Sequence, residues 1–94
     1  MKQEHTAVVV TVSGRVQGVG FRYSTQRLAL GLGLEGWVSN RPDGTVSTWA
    51  QGNKDAVGRF LRFLEEGPPA ARVTSIDMNV VAPDPGVSGF SVRY

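Results

Sequence analysis

The hydrophobic positions of this chain repeat with two different periods, which together predict an alternation of strands and helices. Residues 7–12 form an almost unbroken apolar run of one alanine, four valines and a threonine, which is typical of a central strand with both faces buried. Apolar residues recur at helical spacing over residues 22–30 and again after Asn53, whose side chain can cap a helix. Further strands are predicted around Trp37, over residues 45–51 and 73–81, and around Val92.

The order of these elements predicts the fold class. Strand, helix, strand, strand, helix and strand follow one another, with one further short strand, and Asp43-Gly44 marks a hairpin turn. This order is typical of an α+β, ferredoxin-like two-layer sandwich, in which two helices cover one face of an antiparallel sheet. We expect a single domain over residues 1–94, with residues 1–6 as a flexible tail.

Composition places the chain among ordinary globular proteins. It has 94 residues, 40% of them hydrophobic, and a mean hydropathy of −0.14, which is enough for one modest core. The absence of cysteine excludes disulfides and thiol chemistry. Because residues 1–5 include no long apolar segment, we expect no signal peptide, no membrane association and a cytoplasmic location.

The charge distribution argues against a polyanionic partner. Ten basic and eight acidic residues give a formal net charge of +2, and the basic residues are scattered along the sequence. This pattern predicts no specific nucleic-acid binding, whereas a mild positive bias suits a small anionic substrate. No group of histidine, aspartate and glutamate has the spacing of a metal site, so we expect neither a metal nor an organic cofactor. We also expect a monomer.

The segment Gly14-Arg15-Val16-Gln17-Gly18-Val19-Gly20-Phe21-Arg22 carries the clearest chemical signal. It connects the first strand to the first helix, where the N–H groups of a glycine-rich turn and of a helix N-terminus together bind anions. Arg22 adds a planar, permanently charged fork that can hold two oxygens of a phosphate. The segment therefore predicts an oxyanion site, with a tight turn and a solvated arginine as the alternative.

Topology predicts that Asn40 approaches the same site. Strand–helix–strand crossovers are right-handed and return parallel, so the first two strands end at one edge of the sheet. The glycine loop leaves the first of these ends, and Asn40 leaves the second. The Asn40 amide could donate and accept hydrogen bonds to a ligand. Asparagine is also common before a turn, where it caps backbone groups.

The sequence as a whole resembles the acylphosphatases, small enzymes that hydrolyse carboxyl-phosphate anhydrides. The resemblance begins with Val12-Ser13 and the glycine loop that ends at Arg22, and it covers nearly the whole chain in order. It continues through Ala29, Leu32-Gly33-Leu34, Gly36-Trp37-Val38, Asn40, Asp43-Gly44-Thr45-Val46, Gln51-Gly52, Gly67-Pro68 and Phe90-Ser91-Val92-Arg93-Tyr94. One departure is Ser47, where such sequences often carry glutamate, and we expect Ser47 at a surface position of its strand.

The resemblance implies an acylphosphatase-like domain that hydrolyses an acyl phosphate to a carboxylate and inorganic phosphate. It assigns catalysis to Arg22, whose side chain holds the phosphoryl oxygens, and to Asn40, which orients the attacking water. The backbone N–H groups that bind the phosphate are those of Gln17, Gly18, Val19, Gly20, Phe21 and Arg22. Because the carboxylate is a good leaving group, no strong general acid is required, and inorganic phosphate should be both product and competitor.

Two non-catalytic functions are compatible with the same fold. Ferredoxin-like sheets also bind RNA on exposed aromatic side chains, and Gly20-Phe21-Arg22-Tyr23 is superficially similar to an RNA-recognition motif. In that class the aromatics lie on the central strands, whereas Phe21 and Tyr23 are predicted at a helix start. The other alternative is a module that binds a phosphorylated ligand without catalysis, and the presence of both Arg22 and Asn40 speaks against it.

Overall fold

A computed structural model describes residues 5–94 of the chain and shows five strands and two helices within that range. In chain order they are β1 (His5–Arg15), α1 (Phe21–Gly31), β2 (Glu35–Asn40), β3 (Val46–Asn53), α2 (Lys54–Glu66), β4 (Arg72–Val81) and β5 (Phe90–Arg93). The strands form one sheet in the order β4-β1-β3-β2-β5. This arrangement is the predicted ferredoxin-like α+β fold.

The sheet is mixed, whereas the sequence predicted an antiparallel one. β1 pairs antiparallel with β3 and β4, and β2 pairs antiparallel with β3, but β5 lies parallel to β2. The route of the chain explains the difference, because β4 and β5 form opposite edges of the sheet and residues 82–89 connect them across one end. β5 therefore starts at the end where β4 finishes, and it must run in the same direction as β2.

Both helices cover the same face of the sheet. On that face Val8, Val10 and Val12 of β1 are buried, and they pair with Ala50, Thr48 and Val46 of β3. α1 packs against β2 and β5, whereas α2 packs against β1, β3 and β4. The buried residues are Phe21, Thr25 and Ala29 in α1 and Ala56, Val57, Phe60 and Leu64 in α2. Each fully buried large apolar side chain stabilises the fold by about 1.5–3 kcal/mol, so this shared core holds the two layers together.

The face opposite the helices carries an aromatic pair. Trp37 of β2 and Trp49 of β3 lie directly opposite each other in the antiparallel ladder, and both are half-buried. The Arg93 guanidinium lies 4.7 Å from the centre of the Trp37 ring, which is a favourable cation–π arrangement. This contact attaches the short strand β5 to the sheet on the side away from the core.

Ser47 is buried, contrary to the surface position expected from the sequence. Only 4% of the residue is exposed, and it pairs with Thr11 of β1 on one side and Ser39 of β2 on the other. The physical reason is that β3 is the middle strand of five. A small side chain there is shielded by the neighbouring strands even on the face that the helices do not cover.

The first strand begins earlier than the sequence indicated. His5 and Thr6, which we expected in a flexible tail, belong to β1 and pair with Asn53 and Gly52 of β3. The tail prediction is therefore wrong for these two residues, because the ladder hydrogen bonds extend past the apolar run of the strand. The other residues of the expected tail, 1–4, lie outside the described residues.

Candidate active site

The site begins at a break in the pairing of β1 with β4. The register between these strands shifts between Ser13 and Gly14, which is the signature of a β-bulge. Gly14 has a φ of +123°, and a Cβ atom at this position would collide with the carbonyl oxygen of Arg72 on β4. Glycine therefore allows the close approach of the two backbones, and β1 leaves the sheet into the loop of residues 16–20.

The loop is anchored by apolar side chains and turned by glycines. Val16 is 1% exposed, and Val19 packs against the core. Gly18 and Gly20 have φ angles of +72° and +78°, and a Cβ atom at either would meet no neighbour within 4 Å. The backbone conformation, not the available space, therefore requires glycine. Turns of this kind direct successive N–H groups to one side and form anion-binding concavities.

Helix α1 starts from this loop without a side-chain cap. Its N-cap residue is Gly20, and no acidic residue lies in the first turn. The Ser24 N–H group donates to the Gly20 carbonyl oxygen at 3.0 Å, so the preceding N–H groups have no partner within the helix. The start of α1 therefore presents N–H donors without a partner in the helix, together with the positive end of the helix dipole. Both favour the binding of an anion.

Arg22 places a cation in this first turn. Its guanidinium carbon lies 4.8 Å from the centre of the Tyr94 ring, a contact that the sequence did not indicate because the two residues are far apart in the chain. A cation at a helix N-terminus is opposed by the helix dipole by about 0.3–1 kcal/mol. A bound anion removes that penalty. Arg15, the other cation of the glycine-rich segment, is exposed at the end of β1.

A groove of about 560 Å³ opens where the loop, the start of α1, the end of β2 and β5 meet. Arg22 and Asn40 both line it, so the predicted convergence of loop and strand end is found. Its full lining is Val16, Gly18, Gly20, Phe21, Arg22, Tyr23, Gln26, Asn40, Phe90, Ser91, Val92 and Tyr94. Gln17 and Val19, which the sequence grouped with the phosphate-binding residues, belong to the loop but not to this lining.

Asn40 is the last residue of β2, where it pairs with Val46. Its side-chain Oδ1 is buried and accepts no hydrogen bond from any described residue. A buried acceptor without a donor costs about 1–3 kcal/mol. Because the residue lines the groove, a small rotation of its side chain would bring the Oδ1 atom within reach of a donor there, such as a water molecule.

The turn after Asn40 is capped by another residue. The Asp43 carboxylate accepts hydrogen bonds from the Thr45 N–H at 3.0 Å and from the Thr45 hydroxyl at 2.6 Å. These bonds, together with the nearby Arg41 cation, hold the pKa of Asp43 below its usual value. The alternative role of Asn40 as the turn cap is therefore taken by Asp43, which leaves the Asn40 amide available to the groove.

Two side chains near the site have features that sequence patterns did not reveal. The Gln17 amide nitrogen donates to the carbonyl oxygens of Arg41 at 2.8 Å and Thr45 at 2.9 Å. Thr25 is fully buried in α1, and its hydroxyl oxygen has no partner among the described residues. No periodicity or motif signals such long-range side-chain contacts.

Within residues 5–94, no three histidine, aspartate or glutamate side chains gather closely enough to hold a metal ion. In the same range, neither helix has the length and apolar character needed to cross a membrane.

Comparison with known proteins identifies relatives of the whole chain. The family model for acylphosphatase matches residues 8–92. The chain is 44% identical over 88 residues to an acylphosphatase of Thermotoga maritima, covering 94% of this chain and 97% of that one. It is 48% identical over 88 residues to an acylphosphatase of Nocardioides sp., covering 94% and 88%. The crystal structure of acylphosphatase from Bacillus subtilis superposes with a TM-score of 0.90 at 39% identity, covering 95% of this chain and 99% of that one.

Proposed function

The chain belongs to the acylphosphatase family and is a hydrolase acting on acid anhydrides, and we propose that Arg22 and Asn40 carry out its reaction in the groove at the start of α1. The substrate is an acyl phosphate, and the products are a carboxylate and inorganic phosphate. The position of Asn40 in the groove wall, with an Oδ1 atom that no described group satisfies, is the observation that carries this proposal.

The loop and the helix start bind the phosphoryl group. The backbone N–H groups of residues 17–22 supply donors, and the Arg22 guanidinium adds a charged fork that holds two oxygens at once. Fixed donors aimed at charge that develops in the transition state lower its energy more than that of the ground state. The left-handed Gly18 and Gly20 support this role because they shape the loop before the substrate arrives.

Asn40 orients the attacking water. Its Oδ1 atom accepts a hydrogen bond from the water, whose oxygen then forms a bond to phosphorus in line with the scissile bond. The bond between phosphorus and the carboxyl oxygen breaks, and its electron pair leaves with the carboxylate. One proton of the water passes to a phosphoryl oxygen, so the products are RCOO⁻ and H₂PO₄⁻. No side chain is needed as a general acid, since a carboxylate leaves without protonation.

The alternative of a binding module without catalysis is disfavoured by the family match and by the position of its key aromatic residue. Phe21 is 2% exposed and packs against Phe63 with ring centres 6.1 Å apart, so its ring is not available to stack on a nucleobase. We propose no specific nucleic-acid partner. A cytoplasmic location, a monomeric state and activity without a metal stay predictions. Full retention of activity in EDTA is the expected result for the last of these.

The variant Asn40→Ala tests the proposal. Turnover of an aromatic acyl phosphate such as benzoyl phosphate should fall sharply, whereas the inhibition constant of inorganic phosphate should stay nearly unchanged, because Asn40 acts mainly in the transition state. A role in the turn alone would instead lower stability by about 1 kcal/mol, as cap deletions do. A kcat within a few-fold of the wild type, together with a lower denaturation midpoint, would remove Asn40 from the mechanism.

A further inference from the structure

The side chain of Gln17 connects the phosphate-binding loop to the hairpin that follows Asn40. Its amide nitrogen donates to the Arg41 carbonyl oxygen at 2.8 Å and to the Thr45 carbonyl oxygen at 2.9 Å. Both hydrogens of the amide are thus used on the two residues that close the hairpin, whose own backbone bond runs from Arg41 N–H to the Thr45 oxygen at 2.8 Å. The first of these acceptors, Arg41, directly follows Asn40 in the chain.

We infer that Gln17 is a positioning residue for hydrolysis: its side chain fixes the loop that holds the phosphoryl group relative to the hairpin that carries Asn40. This inference rests on the proposed function, in which the loop binds phosphate and Asn40 binds water. Its role differs from the one predicted from the sequence, which used only the Gln17 backbone N–H group.

The local structure makes such a connection necessary. The pairing of β1 with β3 ends at Val12 and Val46, and no backbone hydrogen bond within the described chain joins residues 16–20 to residues 40–45. The loop also contains Gly18 and Gly20, which add conformational freedom. A nucleophile displaced by about 1 Å can cost about 10²-fold in rate, so a direct polar link between the two segments bears on the chemistry.

The chemistry of the contact requires a neutral amide. The two acceptors are carbonyl oxygens, so the side chain must present two hydrogens, which an amide nitrogen does and a carboxylate oxygen does not. In Gln17→Glu an acceptor of the same size would face both carbonyl oxygens, and repulsion would separate the loop from the hairpin. In Gln17→Ala the link is lost, whereas the backbone N–H group that faces the phosphate remains.

Gln51 provides a matched control at the opposite end of the sheet. Its amide nitrogen donates to the Asp84 carbonyl oxygen at 2.8 Å, and its Oε1 atom accepts from the Asp84 N–H at 2.8 Å. It therefore fastens the connection of residues 82–89 to β3 by two bonds to backbone, as Gln17 fastens its own loop, and its amide nitrogen also donates to Glu35 Oε1 at 3.1 Å. Gln51 does not line the groove. Gln51→Ala removes a comparable contact that has no part in the reaction.

The experiment measures four quantities: kcat and KM with benzoyl phosphate, the inhibition constant of inorganic phosphate, and the urea midpoint. The variants are Gln17→Ala, Gln17→Glu, Gln51→Ala, Asn40→Ala and the double variant Gln17→Ala/Asn40→Ala. We expect Gln17→Ala to lower kcat by about tenfold or more and phosphate affinity by no more than about threefold, and Gln17→Glu to be slower still. Gln51→Ala should lower the urea midpoint and keep kcat within about twofold of the wild type.

The double variant separates positioning from a merely structural role. If Gln17 acts through Asn40, adding Gln17→Ala to Asn40→Ala should change kcat by less than about twofold. Multiplicative losses, or a wild-type kcat in Gln17→Ala, would overturn the inference while a slow Asn40→Ala keeps the proposed function. A wild-type kcat in Asn40→Ala would overturn the proposed role of Asn40 and, with it, that of Gln17.

Discussion

The two helices of this protein begin in opposite ways. α2 starts after Asn53, an extended residue whose side-chain oxygen accepts from the Ala56 N–H at 2.9 Å, and Asp55 adds a negative charge to the first turn beside the positive charge of Lys54. α1 starts after the left-handed Gly20, has no side-chain cap and no acidic residue in its first turn, and carries Arg22 there. A side chain of the protein caps the start of α2, whereas none caps the start of α1, where we propose that an anion binds.

The difference has an energetic meaning. A side-chain cap contributes about 1 kcal/mol, and a cation near a helix N-terminus costs about 0.3–1 kcal/mol. The start of α1 is therefore less stable than a capped start would be, and the same features suit it to the anion binding that we propose. The missing side-chain cap at one of the two helix starts distinguishes the end of the sheet at which we propose catalysis.

The largest effect is expected from Arg22→Lys, which keeps the charge at the start of α1 but removes the planar fork. We expect kcat/KM with benzoyl phosphate to fall by at least about 10²–10³, the usual loss when one oxyanion donor is removed, with an unchanged urea midpoint. Arg62→Lys on the exposed part of α2 is the control and should retain full activity. Nearly normal turnover in Arg22→Lys would mean that the planar fork of Arg22 has no catalytic role.

A negative charge at the cap position of α1 should weaken phosphate binding there. In Gly20→Asp, a carboxylate would occupy the anion site, and the inhibition constant of inorganic phosphate should rise about tenfold or more, as expected for like charges several ångströms apart in a partly exposed site. Gly20→Asn is the matched variant, because it imposes a similar backbone cost without the charge. Equal phosphate affinity in the two variants would show that the anion binds elsewhere.

Removing the cap of α2 should affect stability alone. Asn53→Ala deletes the hydrogen bond to the Ala56 N–H and should lower the free energy of unfolding by about 1 kcal/mol. Measured at a temperature where the variant stays folded, kcat should match the wild type. A loss of turnover in the folded protein would contradict the division of the two helix starts into structural and functional ones.

The smallest effect concerns the hairpin beside the site, where Asp43 caps the turn. Its pKa is lowered, chiefly by the hydrogen bond from the Thr45 hydroxyl. Its contribution to stability is therefore present at and above the ordinary pKa of an aspartate, and it is lost as the pH falls through the lower pKa of the folded state. In Asp43→Asn, thermal midpoints between about pH 5 and about pH 2.5 should decline slightly less than in the wild type. Parallel declines would assign the acid sensitivity to other carboxyl groups.

Much of this architecture follows from local patterns. The apolar run of β1, the helical spacing in α2 and the Asp43-Gly44 turn lie where the sequence predicted them, since each depends on neighbours close in the chain. The convergence of Asn40 with the glycine loop followed from the handedness of crossovers. These rules are enough to predict the end of the sheet at which the groove lies.

The features that escaped prediction depend on contacts between distant residues. The burial of Ser47 follows from the central place of β3 in the sheet, and the parallel pairing of β5 follows from the path of residues 82–89 across its end. The contacts of Gln17 with the hairpin and of Tyr94 with Arg22 depend on rotamers chosen in the assembled fold. The pattern of residues along the chain therefore does not predict these contacts.

The parallel pairing of β5 with β2 also bears on how the enzyme folds into its active form. One wall of the groove comes from β5, which pairs with β2 at the edge of the sheet opposite β4, so its contacts join residues far apart in the chain. Contacts of such long sequence separation form slowly because the loop must close before they stabilise anything. We therefore expect the recovery of hydrolysis during refolding to report when β5 docks. Spectroscopic signals of α2 or of the β2–β3 hairpin would not report that step.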